Sequence, residues 1–262
     1  MNPAGQPTRI GSRDNPLFKQ LRQLAGDSSA YRKLGRIWVE GEHLCLAAFA
    51  HGLKADLAAF SESFVANALV QRSWNATRTI VMTDPLFARI SALESPAGCG
   101  IVLALPAPPD IAPRAASVVL DRLQDAGNVG SILRSAAAFG FAQVLALKGT
   151  AALWAPKVVR AGMGAHFGLR LIEGLEAGDL DALEVPLLQT SSHQGDWLHR
   201  VNLPQPCAWV FGHEGQGVGA ALAERASRSI RIAQPGGQES LNVAAAAAIC
   251  LHASAAAAAL EG

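Results

Sequence analysis

Three segments of this 262-residue chain, all beyond residue 120, gather glycines with amides, carboxylates and a guanidinium, side chains suited to holding a polar ligand. The first runs Asp121-Arg122-Leu123-Gln124-Asp125-Ala126-Gly127-Asn128-Val129-Gly130 and continues to Arg134. Gly127 and Gly130 permit tight backbone turns and close approach of a ligand. Asn128 offers a donor and an acceptor, and Arg134 a permanent cation. Six residues apart, the two need not share a helix face. They converge if Asn128 sits in a loop and Arg134 in the second turn of the helix that follows. An ordinary turn and helix cap, with a surface arginine, fits the same residues. The pattern is not GxGxxG, so a nicotinamide dinucleotide is not favoured.

The second segment is Phe211-Gly212-His213-Glu214-Gly215-Gln216-Gly217. Its glycine density suits backbone curled round a ligand; a flexible turn with a solvent-facing acid is the plainer alternative. The third is Ile232-Ala233-Gln234-Pro235-Gly236-Gly237-Gln238-Glu239-Ser240-Leu241-Asn242, followed by an alanine-rich run. Ser240 or Asn242 suits a helix cap, and a helix start also presents free N–H groups to an anion or polar ligand.

Each of these segments follows a strand candidate. Strands are expected at 117–120, 143–147, 186–190, 208–211 and 229–232, with helices at 131–139, 157–161 and 220–226. Strands alternating with helices imply a parallel sheet with helices on its faces, and such sheets bind ligands beyond the carboxyl ends of their strands. The first part of the chain reads as a smaller α/β domain. It has helices at 16–24, capped by Asp14 or Asn15, and at 42–50. Its strands are expected at 36–41, 79–82 and 101–105. Between the parts lies Pro106-Ala107-Pro108-Pro109-Asp110-Ile111-Ala112-Pro113, four prolines in eight residues, which reads as a stiff linker. The expected domains are therefore 1–105 and 116–262, joined by 106–115.

Composition narrows the function. Half the residues are hydrophobic and 16% charged, which excludes a disordered chain. A formal net charge of +1 excludes a uniformly basic nucleic-acid binder, yet the first forty residues carry +4. That local excess suits either a phosphate backbone or a solvated helix face. Cys45, Cys99, Cys207 and Cys250 lie far apart with no CxxC pair, so neither a metal site nor a disulfide framework is expected, and the reduced cytoplasm is. No signal peptide is expected at the N-terminus, which lacks an apolar core. Residues 243–260 are apolar except for His252 and Ser254, at the lower edge of a membrane span. Their alanine content favours a packed helix, and no membrane partner is expected.

In order and spacing, the segments Asn128-Val129-Gly130 with Arg134, Phe211-Gly212-His213-Glu214-Gly215-Gln216-Gly217 and Ser240-Leu241-Asn242-Val243 resemble the SpoU (TrmH-like) family of RNA ribose 2′-O-methyltransferases. The likeness spans roughly residues 116–260, and Arg160-Ala161-Gly162-Met163-Gly164-Ala165 adds to it. Upstream, Val39-Glu40-Gly41-Glu42-His43-Leu44 and Ser95-Pro96-Ala97-Gly98 resemble the family's ribosomal-protein-like RNA-binding domain. The resemblance implies an α/β fold with a deep trefoil knot of SPOUT type in the C-terminal domain. It also implies a homodimer and S-adenosylmethionine bound in the knot. Carried over by position, Thr190, Gly212, Ile232 and Leu241 would bind the cofactor. Asn128, Arg134, Glu214, Ser240 and Asn242 would serve catalysis and substrate. His213 is read as an incidental loop side chain. The chain departs from the family pattern at Ala233, where proline is usual, and at Ala244, where serine is frequent. The N-terminal domain favours ribosomal RNA as substrate. A transfer-RNA methyltransferase and a noncatalytic RNA-binding assembly factor are the alternatives.

Overall fold

The computed structural model describes residues 7–67, 74–236 and 240–261, and the proline-rich stretch is where the chain first changes unit. One compact unit holds the chain through Pro106 together with Trp154–Phe167. The other holds Ala107–Leu153 and the chain from Gly168 onward.

The first unit is built from β1 (Thr8–Ile10), α1 (Pro16–Gly26), α2 (Ala30–Leu34), β2 (Arg36–Glu40), α3 (Glu42–Ala50), β3 (Leu57–Ser61), α4 (Glu62–Ala66), β4 (Thr79–Met82), α5 (Asp84–Ala88) and β5 (Cys99–Ala104). Its five strands stand in the order β1-β4-β3-β5-β2, with β5 antiparallel to both neighbours. Of the two residues suited to cap α1, Asn15 does so, accepting the Leu17 N–H at 2.9 Å. Phe18, Leu21, Leu24 and Ala25 then fall on one buried face at helical spacing. The strand β3, Leu-Ala-Ala-Phe-Ser, was not among the expected strands; its small residues give a weak β signal, yet all five are buried.

The second unit contains β6 (Ser117–Leu120), α6 (Ala126–Ala138) and β7 (Gln143–Leu147). After the excursion that carries α7 (Pro156–Ala161) into the first unit come β8 (Arg170–Leu175), β9 (Leu187–Thr190), β10 (Asp196–Trp197), β11 (Ala208–Phe211), α8 (Ala220–Ala223), β12 (Arg228–Arg231) and α9 (Val243–Glu261). The sheet is wholly parallel, in the order β10-β12-β9-β11-β6-β7-β8. Strands β6, β7 and β11 are buried along their whole length and largely apolar, because both faces of such a sheet are covered. Strand β8 escapes that reading, since Glu173 and Gly174 interrupt it. Glu173 accepts the Leu153 N–H at 2.8 Å.

Helix α9 packs on α6 and β11. Its two polar interruptions both have partners. Ser254, 1% exposed, accepts the Trp209 indole N–H at 2.9 Å, and the His252 ring meets Phe139 edge-on at 5.4 Å. No helix among the described residues is long and apolar enough to cross a membrane.

Candidate functional site

In a parallel sheet all carboxyl ends lie at one edge, so neighbouring strands bring their following loops together. Here β12, β9, β11 and β6 are consecutive in the sheet. The order also reverses at β6, which has β7 on one side and β11 on the other, the arrangement that opens a crevice between adjacent loops. The three glycine-bearing segments therefore meet, although over a hundred residues separate the first from the third.

The second and third segments, with Thr190, Ser191 and Ser192 at the end of β9, line a cavity of about 300 Å³. Thr190, Gly212, Ile232 and Leu241, the four positions matched to cofactor binding, all line it. Glu214, Ser240 and Asn242 line it too. Asn128 and Arg134 do not.

The polar side chains form a chain of hydrogen bonds across the three loops. Asn242 donates its amide Nδ2–H to Asn128 Oδ1 at 3.0 Å, and Asn128 donates Nδ2–H to Glu214 Oε1 at 3.2 Å. Glu214 also accepts the Asp125 N–H at 3.3 Å and the Gln124 N–H at 3.4 Å. At the far end, Asn242 Oδ1 accepts the N–H groups of Ala244 and Ala245 at 2.9 and 3.2 Å, capping α9. One asparagine thus starts the last helix and fixes the orientation of another. Partial burial pushes the Glu214 carboxyl up. Its hydrogen bonds from its own backbone, the Asn128 amide and the Asp125 and Gln124 N–H groups outweigh that and hold it below its ordinary value.

Asn128 is not in a loop, as convergence with Arg134 requires. Helix α6 begins at Ala126, because Asp125 caps it by accepting the Asn128 N–H at 2.7 Å. Asn128 and Arg134 are therefore on one helix, about 120° apart round its axis and about 9 Å apart along it. Arg134 is exposed and makes no hydrogen bond or ion pair with any described residue. The structure joins Asn128, Glu214 and Asn242 and leaves Arg134 facing solvent. Ser240 is exposed at the cavity rim.

The second loop is closed on itself. The Gly217 N–H donates to His213 O at 2.8 Å. His213 Nδ1 accepts the N–H groups of Gly215 and Gln216 at 3.0 and 3.2 Å. His213 therefore shapes the turn rather than being incidental to it. A β-carbon on Gly212 would lie 2.2 Å from the Gly217 carbonyl carbon and the Val218 nitrogen, so only glycine fits there. The departures from the family pattern leave the cavity intact. Ala244 is half-buried in the first turn of α9, and Ala233 is exposed.

Two residues without an assigned role also hold this loop. Asp121, at the end of β6, is 3% exposed and accepts the Gly219 N–H at 2.7 Å. Arg122 grips Asp121 and reaches Gln216. An acid and a base adjacent at the end of an apolar strand are the signal that marks them.

Among the described residues, no group of three or more His, Cys, Asp or Glu could hold a metal ion. Residues 115–252 match the family model described as the SpoU rRNA Methylase family. An uncharacterized tRNA/rRNA methyltransferase of Synechocystis sp. is 30% identical over 259 residues, covering 93% of this chain and 92% of that protein. The 23S rRNA (guanosine(2553)-2′-O)-methyltransferase RlmP of Bacillus subtilis is 27% identical over 224 residues, covering 84% and 88%. Among solved structures, the SpoU methyltransferase AviRb of Streptomyces viridochromogenes, in complex with AdoMet, superposes with a TM-score of 0.81 over 92% of this chain and 97% of its own, at 24% identity.

Proposed function

The chain belongs to the SpoU rRNA methylase family, and from that premise we propose that it transfers the methyl group of S-adenosylmethionine to a ribose 2′-hydroxyl of RNA, with ribosomal RNA as the substrate. The observation that carries this reading is the convergence of Asn128, Glu214 and Asn242 at the rim of a cavity lined by Thr190, Gly212, Ile232 and Leu241. A cavity of about 300 Å³ falls in the range of small-molecule pockets. Ile230, Ile232 and Leu241 offer apolar surface for a flat base, and the glycine-rich turns offer backbone groups for its polar edges. These residues fit the cofactor, whose sulfonium supplies an activated methyl group when bound.

The protein's share of the work is alignment and proton management. Holding reactants in line lowers a barrier by roughly 7–11 kcal/mol in favourable cases. Glu214 fixes the Asn128 amide and Asn128 fixes Asn242, so the rim presents a preset row of polar groups to the ribose. A guanidinium keeps its proton in proteins, so Arg134 is not assigned as a literal base. We assign it to the RNA phosphate beside the target, with its charge stabilising the developing alkoxide while phosphate or water takes the proton. Its exposure and lack of a partner among the described residues support that role.

Ribosomal RNA is supported by RlmP, a 23S enzyme that matches most of both units. The first unit is assigned to RNA binding on its exposed cations, among them Arg13, Lys19, Arg22 and Lys33. A trefoil knot is supported by β12, β9 and β11, adjacent strands whose following loops all wrap one cavity. Homodimerisation through the second unit is supported by α9, made almost wholly of apolar residues, with Ile249 41% exposed. A cytoplasmic location is supported by four buried, free cysteines.

The test is site-by-site mapping of ribose 2′-O-methylation in total RNA from cells with and without the gene, complemented by wild type or Arg134→Ala. One mark lost on deletion, restored by wild type and absent with the variant, is expected. No changed mark, together with no binding of S-adenosylmethionine by the purified protein, refutes the enzyme.

A further inference from the structure

We propose that Arg122 is a positioning residue that locks the loop 212–219 into the shape that walls the cavity, and so sets affinity for S-adenosylmethionine rather than the rate of methyl transfer. The proposal rests on the function assigned above.

Arg122 has φ +60°, in the left-handed region that residues with a β-carbon rarely occupy. Its surroundings hold it there. The Arg122 N–H donates to Thr150 Oγ1 at 3.0 Å, and the Thr150 hydroxyl donates to Leu120 O at 3.0 Å, so the strained residue is tied to the end of β6. This backbone turn sends the side chain across to the second loop.

There each of its three guanidinium nitrogens has a partner. Nε and Nη2 fork onto the Asp121 carboxylate at 2.8 and 3.1 Å. Nη1 donates to Gln216 Oε1 at 3.1 Å, and Nη2 approaches Gly217 O at 3.5 Å. Asp121, oriented by the fork, takes the Gly219 N–H. The pair thus attaches to Gln216, Gly217 and Gly219 from one side, while His213 closes the turn from the other. Glu214 and Gly217, within this doubly held loop, line the cavity.

Only a planar fork of several donors reaches these points at once; a lysine ammonium keeps the charge but is a single point. The inward commitment of Nε, Nη1 and Nη2 also separates Arg122 from Arg134, whose guanidinium is exposed and has no partner among the described residues.

The experiment is calorimetric titration of the full-length chain with S-adenosylmethionine, beginning with wild type. Kinetics use total ribosomal RNA from cells lacking the gene as acceptor. Arg122→Lys, Gln216→Met and the double variant follow, each checked by thermal melting. The expected result is a Kd raised about tenfold in Arg122→Lys and about threefold in Gln216→Met, with kcat at saturating cofactor within twofold of wild type. The double variant binds no worse than Arg122→Lys alone, because both substitutions remove the same hydrogen bond. Gln216→Met alters an exposed side chain and keeps the test available if Arg122→Lys does not fold. Additive losses, or an unchanged Kd with a raised KM for RNA, overturn the proposal. A wild type that binds no S-adenosylmethionine overturns it together with the function on which it rests.

Discussion

Replacing Gly212 by alanine tests whether the second loop is packed as tightly as it stands. The backbone dihedral is not the obstacle, since Gly212 is not among the glycines with positive φ. The obstacle is space. The added β-carbon would sit 2.2 Å from the Gly217 carbonyl carbon and the Val218 nitrogen and 2.4 Å from the Gly217 oxygen. Carbon atoms pack at about 3.5–4.0 Å, so the overlap exceeds about 1 Å and falls on main chain with no rotamer to turn aside. The loop must open by a similar distance. The Gly217 N–H to His213 O bond, now 2.8 Å, would then pass beyond hydrogen-bonding range. Overpacking costs about 1–3 kcal/mol and the lost bond about 1 kcal/mol, together about 2–4 kcal/mol. Set against ligand binding, that is a thirtyfold to several-hundredfold loss, at about 1.4 kcal/mol per tenfold. Isothermal titration with S-adenosylmethionine reads it directly. Gly215→Ala is the control, because there the nearest atom to an added β-carbon is the His213 ring at 3.8 Å, an ordinary contact. A Gly212→Ala protein that binds within threefold of wild type would falsify the steric reasoning, and so would equal losses in the two variants.

Three further outcomes are expected. The Glu214 carboxyl is held below its ordinary value of 4.5, so its contribution is complete above that value and lost as pH falls through the lowered one. Cofactor affinity of wild type should therefore decline in acid while that of Glu214→Gln stays flat; parallel declines in titrations across pH refute the assignment. Asn242→Asp keeps the cap on Ala244 and Ala245 but sets an acceptor against Asn128 Oδ1, so turnover should fall about tenfold, roughly 1.4 kcal/mol, with little change in melting temperature. Asn242→Ala should also lose about 1 kcal/mol of stability by thermal melting, and equal melting temperatures for the two variants would count against the cap. Arg134→Lys should lower turnover and raise KM for RNA with no shift in the pH–rate profile, and near-wild-type turnover would exclude a bidentate grip on phosphate.

The parts of this site that were legible in the sequence are those where one residue type admits few uses. Gly212 sits where no β-carbon fits, and the apolar runs of β6 and β11 are what a sheet buried on both faces requires. Thr190, Ile232 and Leu241, matched by resemblance to the family rather than by any pattern of their own, line the cavity. The start of α6 was not legible, because Gly127 and Gly130 argue for a loop while a single side chain, Asp125, is enough to begin the helix there. Strand β10, two residues at the sheet edge, leaves no periodicity to read. The clamp made by Asp121 and Arg122 was hidden for a different reason. Its partners, Gln216, Gly217 and Gly219, are over ninety residues away, and only the adjacency of β6 and β11 joins them.

The placement of Trp154–Phe167 changes what it means for this protein to be modular. The chain crosses from one unit to the other after Pro106, again after Leu153, and back after Phe167. Val158 and Val159 on α7 are buried, and α7 packs on β2 and α1, strands and helices encoded more than a hundred residues earlier. No single cut frees either unit. A fragment starting at Ala107 would carry α7 without β2 or α1 to cover it, and an exposed apolar patch of that kind promotes aggregation. Shuffling by gene fusion at the proline-rich stretch, the route by which recognition modules are usually traded, is therefore closed unless the α7 segment travels with its first-unit partners. Substrate recognition and the transfer site are bound to change together, as one inherited piece.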